Sequence, residues 1–88
     1  MMNLKGLVRK INKNEGYESV FLFGQYAESC KIRDGHVEDM RGNRIDSTLG
    51  FVRHHYNRPQ YIASAANMEI ERVKEVLAGI DPNDKFWD

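Results

Sequence analysis

Four consecutive residues in the middle of the chain carry side chains that could perform acid–base chemistry. They open the stretch RHHYNR, residues 53–58, and are Arg53, His54, His55 and Tyr56. A small ribonuclease needs little more than general acid–base groups and a cation, so these residue types are compatible with that reaction. Their spacing does not require it. A solvated helix end, where cations meet the negative pole of the helix dipole, explains the same stretch.

A second titratable group surrounds His36, with Asp34, Glu38 and Asp39 close by in the sequence. These residues could also form an acid–base group, but charged residues that flank a turn are far more often exposed to solvent. The chain contains no glycine-rich phosphate loop and no serine-centred elbow. We therefore expect a protein that is not an enzyme.

The histidines and the single cysteine do not have the spacing of a metal site. His54 and His55 are adjacent, so on a helix their side chains diverge by about 100°. Zinc-binding histidines on a helix commonly stand at i and i+4 instead. Cys30 has no partner cysteine and is expected to be a half-buried thiol in a strand. The sequence thus predicts neither a metal nor a cofactor.

The chain is short enough for one domain, since it has 88 residues. Its first thirteen residues lack the apolar core of an export signal. No apolar run approaches the ~18 residues of a membrane helix. With a lone cysteine, these features predict a cytoplasmic protein that does not bind membranes. Thirteen basic and thirteen acidic residues cancel, but residues 59–88 hold three basic against six acidic, so the last third is acidic.

The first forty-five residues predict a helix followed by a small antiparallel sheet. Residues 3–13 form the helix, capped by Asn3, and its apolar residues recur at i, i+3, i+4 and i+7: Leu4, Leu7, Val8 and Ile11. We expect this stripe to close the domain's own core, the alternative being a docking surface. The apolar run 20–23 predicts a strand covered on both faces. Asp34-Gly35 predicts a type I′ hairpin turn with Lys31 opposite Glu38, and a second turn at 42–43 precedes a short strand.

Three helices are predicted in the remainder. The first spans 46–57 and is capped by Asp46 or Ser47. Pro59 breaks the chain and begins the second helix, 59–66. The third spans 69–78, and Gly79 is expected to end it in a left-handed conformation. In the tail, 81–88, we expect Phe86 and Trp87 to fold back onto the core.

The expected fold class is therefore α+β, in a single domain spanning 1–88. The N-terminal helix and the sheet occupy residues 1–45. The three-helix unit occupies 46–80, and the tail completes the chain.

Residues 59–78 carry a pattern that resembles the helix-turn-helix unit of bacterial and phage DNA-binding proteins. Ala63 stands where that family has an alanine beneath the crossing second helix. Asn67 stands in the turn, where a residue must tolerate positive φ. Apolar Met68 follows, and the inward positions continue as Val73, Val76 and Leu77. The resemblance implies that the preceding helix supports the unit and that the last helix enters the major groove.

The outward face of the last helix is acidic, which opens an alternative to DNA binding. By analogy with the family this face contains Glu69, Glu71 and Glu75 together with Ile70, Lys74 and Ala78. Three carboxylates would repel the phosphates that supply most of the affinity for DNA. The same carboxylates would suit a basic groove on another protein.

Phosphate contacts must therefore come largely from other residues. Those we expect to bind DNA are Arg53, His55, Arg58, Gln60, Arg72 and Lys74. Arg58, Gln60 and the amides that begin the 59–66 helix suit one phosphate. Basic residues of the first helix and of the hairpin turns could add to them.

The expected function is that of a small non-enzymatic regulatory protein that binds double-stranded DNA through this unit. The alternative is a phage-type inhibitor of a host defence or transcription factor. It would place Glu69, Glu71 and Glu75 in the basic groove of a host protein. The sequence is also compatible with a homodimer.

Overall fold

The structure is a computed structural model that describes residues 2–81 and 83, and it has the α+β fold predicted from the sequence. Helix α1 (Leu4–Lys13) comes first, and a four-stranded antiparallel sheet follows it. Each strand pairs with the next in chain order: β1 (Glu18–Phe23), β2 (Tyr26–Arg33), β3 (His36–Asp39) and β4 (Arg44–Ser47). Three helices complete the chain: α2 (Thr48–His54), α3 (Pro59–Ala66) and α4 (Ile70–Ala78).

The hairpin between β2 and β3 has the predicted turn and the predicted register. Asp34 and Gly35 both have positive φ, 51° and 78°, as a type I′ turn requires. Lys31 lies opposite Glu38, so a complementary charge pair spans the two strands. The second turn is also present, and Gly42 there has φ 90°.

The strand predicted from residues 20–23 is covered on one face only. Phe21 is fully buried beneath the helices, whereas Val20 and Leu22 on the opposite face are half-buried. The reason is that β1 is the edge strand of an antiparallel meander, which needs helices on one side only. A turn at Gly24, with φ 56°, joins β1 to β2 in a hairpin that the sequence pattern did not predict.

Helix α1 closes the core with two of the four residues of its predicted apolar stripe. Leu7 and Ile11 are fully buried, and the side chain of Asn3 caps the helix by accepting from the Gly6 amide at 2.9 Å. The core that they join lies between the sheet and all four helices. Cys30 is completely buried in it, not half-buried, because β2 directs this side chain towards the helices.

Helix α2 is shorter than the predicted 46–57. Asp46 and Ser47 belong to β4, and the Ser47 side chain then caps α2 by accepting from the Gly50 amide at 3.0 Å. The helix ends at His54, and turns lead from there to Pro59, which is the first residue of α3 as predicted.

The end of α4 differs from the prediction. Gly79 has φ −90° and so is not left-handed. The chain leaves the helix through a tight turn in which Ile80 N donates to Leu77 O at 3.0 Å. The Tyr56 hydroxyl lies 3.0 Å from Leu77 O and 2.7 Å from Ile80 O, so carbonyls at the helix end find a partner without a left-handed glycine.

Phe86 and Trp87 lie outside the described residues. Among the helices that are described, none combines the length and the apolar character that crossing a bilayer would require.

Candidate nucleic-acid interface

The turn between α3 and α4 is formed by hydrogen bonds of a Schellman type. Asn67 adopts the left-handed conformation, with φ 54° and ψ 51°. Its amide donates to Ser64 O at 3.2 Å, and the Met68 amide donates to Ala63 O at 3.0 Å. Asparagine tolerates this conformation better than other residues with a Cβ, which is why it can replace glycine here. These bonds determine the direction in which α4 leaves α3.

Ala63 lies beneath the start of α4. Its side chain is 6% exposed, and it lines a cleft together with Met68, Glu69 and Ile70. A larger side chain at position 63 would meet this next segment of chain. Farther along α4, Val73 and Leu77 are buried and attach the helix to the core.

The outward side of α4 carries charges of both signs, with more acidic than basic groups. The exposed carboxylates are those of Glu69, Glu71 and Glu75. Lys74 Nζ lies 3.6 Å from Glu71 Oε1, so one of the nearby cations is partly engaged within the helix. Ile70 is half-buried and packs against the core, so it contributes little to the outward face.

Several of the predicted DNA-binding residues are exposed close to the turn or to the ends of α3. Gln60 lies in the cleft between α3 and the start of α4, beside Ser64 and Asn67. Arg58 immediately precedes α3 and is exposed. Arg72 is exposed on α4 and lines a small recess near Glu75. Arg53 is exposed on α2, on the other side of the loop that leads to α3.

His55 cannot belong to such an interface, because its side chain is fully buried. Its ring packs 4.2 Å from the Phe51 ring and 5.3 Å from that of Tyr61, measured between centroids. Its Nε2 accepts a hydrogen bond from the Leu22 amide at 3.1 Å. Burial lowers the pKa of His55 to about 4, so the ring is neutral near pH 7 and offers a phosphate no charge. The prediction for this residue is wrong because the loop after α2 turns the ring inward.

Two lysines of α1 lie beside the turn, and the sequence did not associate them with it. Lys10 and Lys13 line a recess of about 230 Å³ together with Asn14, Ala66 and Asn67. The Asn14 side chain holds the two helices together by donating to Ala65 O at 3.1 Å. Their helical positions, away from the apolar stripe, indicated only that these lysines face outward. The packing of α1 against α3 brings these lysines beside the turn, and the spacing of residues in the sequence does not reveal that packing.

The side chains considered for acid–base chemistry do not form one site. His55 is buried, and the Tyr56 hydroxyl is directed to the end of α4. His54 Nε2 lies 3.7 Å from an Asp46 oxygen. On the hairpin, His36 Nε2 lies 2.7 Å from Glu38 Oε2. Asp39 instead accepts from the amides of Arg41 and Asn43, and these bonds, that from Asn43 foremost, lower its pKa.

Among residues 2–81 and 83, possible metal ligands, the histidine, cysteine and carboxylate side chains, do not gather into a group of three or more. Burial raises the pKa of the Cys30 thiol to about 11, so this cysteine is protonated and inert near pH 7.

No protein-family model, curated protein or solved structure matches this chain.

Proposed function

We propose that this chain is a small, non-enzymatic, regulatory protein that binds double-stranded DNA through α3, the turn at Asn67 and α4. The proposal is supported by the local geometry of the turn and by the buried Ala63 beneath α4. In proteins that use this arrangement, the second helix enters the major groove and residues around it contact the flanking phosphates.

The observation that carries the proposal is the position of Lys10 and Lys13 beside Asn67. Phosphate contacts supply most of the affinity for DNA, and α4 alone cannot provide them. With Arg58 and Gln60 near the start of α3, the unit has polar and cationic groups near both ends of that helix. They can hold the two rows of phosphates while α4 faces the bases.

Salt dependence tests this proposal directly. Fluorescence anisotropy with a labelled mixed-sequence duplex should show binding that weakens as salt is added. For about four phosphate contacts, the slope of log K against log salt should be roughly −3 to −4. Failure to bind at low salt would exclude DNA as the partner, and a slope near zero would exclude a phosphate-based interface.

A second candidate function follows from the exposed carboxylates of Glu69, Glu71 and Glu75. Two basic residues on the same helix, Arg72 and Lys74, offset them only in part, and Lys74 is already near Glu71. Such a surface suits the basic groove of another protein. In this case the chain would be an inhibitor that occupies the nucleic-acid site of a host defence or transcription protein.

Reversing the three glutamates to lysine separates the two functions. If DNA is the partner, the variant should bind the duplex about tenfold or more tightly, because three repulsive charges become attractive. If a basic protein is the partner, the variant should no longer retain the protein that the unaltered chain captures from host lysate.

Glu28→Lys provides the control for this experiment. It changes an exposed charge on the β1–β2 hairpin and should leave either interaction unchanged. Glu28→Lys reverses one charge instead of three, so about a third of the triple variant's effect on the binding free energy would mean that only the total charge of the molecule matters.

A further inference from the structure

A second surface, separate from the α3–α4 turn, is an open groove between α1 and α2. Its volume is about 760 Å³, and its apolar floor consists of Leu4, Val8 and Leu49. All three side chains are half-buried, so the core covers the apolar stripe of α1 only in part. Sites of this size bind drug-sized ligands or the side chains of a peptide.

The rim of the groove is basic. Lys5 and Arg9 line it and are exposed, and none of the residues that line it is acidic. Lys5 and Arg9 are four residues apart, as are Leu4 and Val8. An apolar row and a cationic row therefore run side by side along α1, each with a spacing of about 6 Å.

The walls of the groove are held together before any partner arrives. Thr48 Oγ1 donates to Asn12 Oδ1 at 2.5 Å and ties the start of α2 to α1. A preformed groove requires less ordering on binding than a flexible one, which favours affinity.

We propose that this groove binds an acidic amphipathic helix of a partner protein. A helix repeats its side chains at i, i+3 and i+4, so apolar residues at that spacing would enter between Leu4, Val8 and Leu49. Carboxylates beside them would reach Lys5 and Arg9. The inference does not depend on DNA binding, since none of the residues around Asn67 contributes to the groove.

Other occupants fit the groove less well. Phosphates of DNA would use the cations but would leave the apolar floor in water. A membrane surface needs protruding apolar side chains, and here they line a concavity. A second copy would have to present its own acidic helix, α4, whose apolar residues Val73 and Leu77 are already buried.

The test uses the whole chain and a labelled synthetic helix. Leucines at i and i+4 form the apolar row of this helix, and glutamates at i and i+4 form an acidic row beside it. A matched peptide carries lysine in place of glutamate. The test variant is Lys5→Glu with Arg9→Glu. The control variant, Lys10→Glu with Lys13→Glu, makes the same charge change on the same helix outside the groove. Circular dichroism should show that both variants keep the fold.

The proposal predicts saturable binding of the acidic peptide and much weaker binding of the lysine peptide. The test variant should weaken binding about tenfold or more, because like charges then meet across the interface. The control variant should bind within about twofold of the unaltered chain. Methyl resonances of Leu4, Val8 and Leu49 should shift on binding.

Several results would overturn the proposal. Binding of the acidic peptide that does not saturate at about 1 mM would be too weak to matter. Equally tight binding of the lysine peptide would show that the cations of the rim do not select the partner. Displacement of the peptide by duplex DNA would assign the groove to DNA. A dimer that the test variant dissociates would assign it to a second copy, and binding to anionic vesicles that the test variant abolishes would assign it to a membrane. The salt titration of DNA binding is independent of all these outcomes.

Discussion

The imidazole of His55 contacts three aromatic rings and accepts a hydrogen bond from a backbone amide at the edge of the sheet. The rings belong to Phe21, Phe51 and Tyr61, and the amide is that of Leu22 on β1. Because β1 has a neighbouring strand on one side only, this amide would otherwise lack a partner in the ladder. Only a neutral ring can accept this hydrogen bond at Nε2, so the contact depends on the protonation state of His55.

The stability of the fold should therefore fall as the pH is lowered from about 6.5 towards 4. In the unfolded chain His55 has an ordinary pKa near 6.5, whereas burial lowers it to about 4 in the fold. Between these values the unfolded state binds the proton and the native state does not, so protons favour unfolding. The total loss is on the order of 3 kcal/mol. Urea unfolding as a function of pH measures it.

Two variants assign this loss to one ring. His55→Gln should be less stable than the unaltered chain at neutral pH, but its free energy of unfolding should change little between pH 6.5 and 4. His54→Gln alters an exposed neighbour and should keep the loss. A loss that survives in His55→Gln would refute the assignment. Asp39 contributes in a different range, because its pKa lies below the ordinary 3.8 and its contribution is lost only at lower pH.

At the scale of elements, the turn between α3 and α4 depends on one left-handed residue. Asn67→Ala should destabilise the protein by about 1 kcal/mol, because a backbone with positive φ is less favourable for alanine than for asparagine. Asn67→Gly relieves that strain and should be neutral or slightly stabilising. Thermal unfolding distinguishes the two. An alanine variant as stable as the unaltered chain would mean that the turn can form with another conformation.

Helix α2 contains a glycine, Gly50, and the Asp46 carboxylate lies where a side chain at that position would begin. A Cβ at Gly50 would collide with the Asp46 carboxylate, which also accepts from the Ser47 amide. Gly50→Ala should therefore destabilise the protein by about 1 kcal/mol or more, although alanine favours helix by about that amount. The measurement is chemical unfolding of the variant. In a chain that already carries Asp46→Ala, the same change should be neutral or stabilising, and a stabilising effect of Gly50→Ala alone would contradict the collision.

At the scale of the whole molecule, α1 contributes cations to two separate surfaces. Lys10 and Lys13 lie beside the turn, while Lys5 and Arg9 lie on the rim of the groove shared with α2. The chain has no net charge, so local patches and not the overall charge must guide its partners.

Charge reversal at Lys10 and Lys13 should weaken DNA binding about tenfold and make the salt slope shallower by about 2. Reversal at Lys5 and Arg9 should leave DNA binding within about twofold. The duplex titration that tests the proposed function measures both. Equal losses from the two pairs would indicate that α1 acts only through its summed charge.

Much of the fold could be predicted because it depends on short-range interactions. The type I′ turn at Asp34-Gly35, the cap at Asn3 and the left-handed Asn67 each follow from the conformational preferences of one or two residues. The helix α3 begins at Pro59 for a similar local reason. The hairpin at Gly24 was missed because a glycine followed by glutamine is a weaker turn signal than Asp-Gly.

What the sequence by itself determined is therefore the set of elements, most of their ends and the exposure of the α4 carboxylates. The tertiary structure alone decided that His55 is buried, through a hydrogen bond to a residue 33 positions away. It also decided that Lys10 and Lys13 lie beside the turn. At the end of α4, it decided that the Tyr56 hydroxyl, not a left-handed Gly79, provides a partner for the backbone carbonyls. Local preferences act within about one turn of chain, whereas burial and the meeting of distant side chains depend on how whole elements pack.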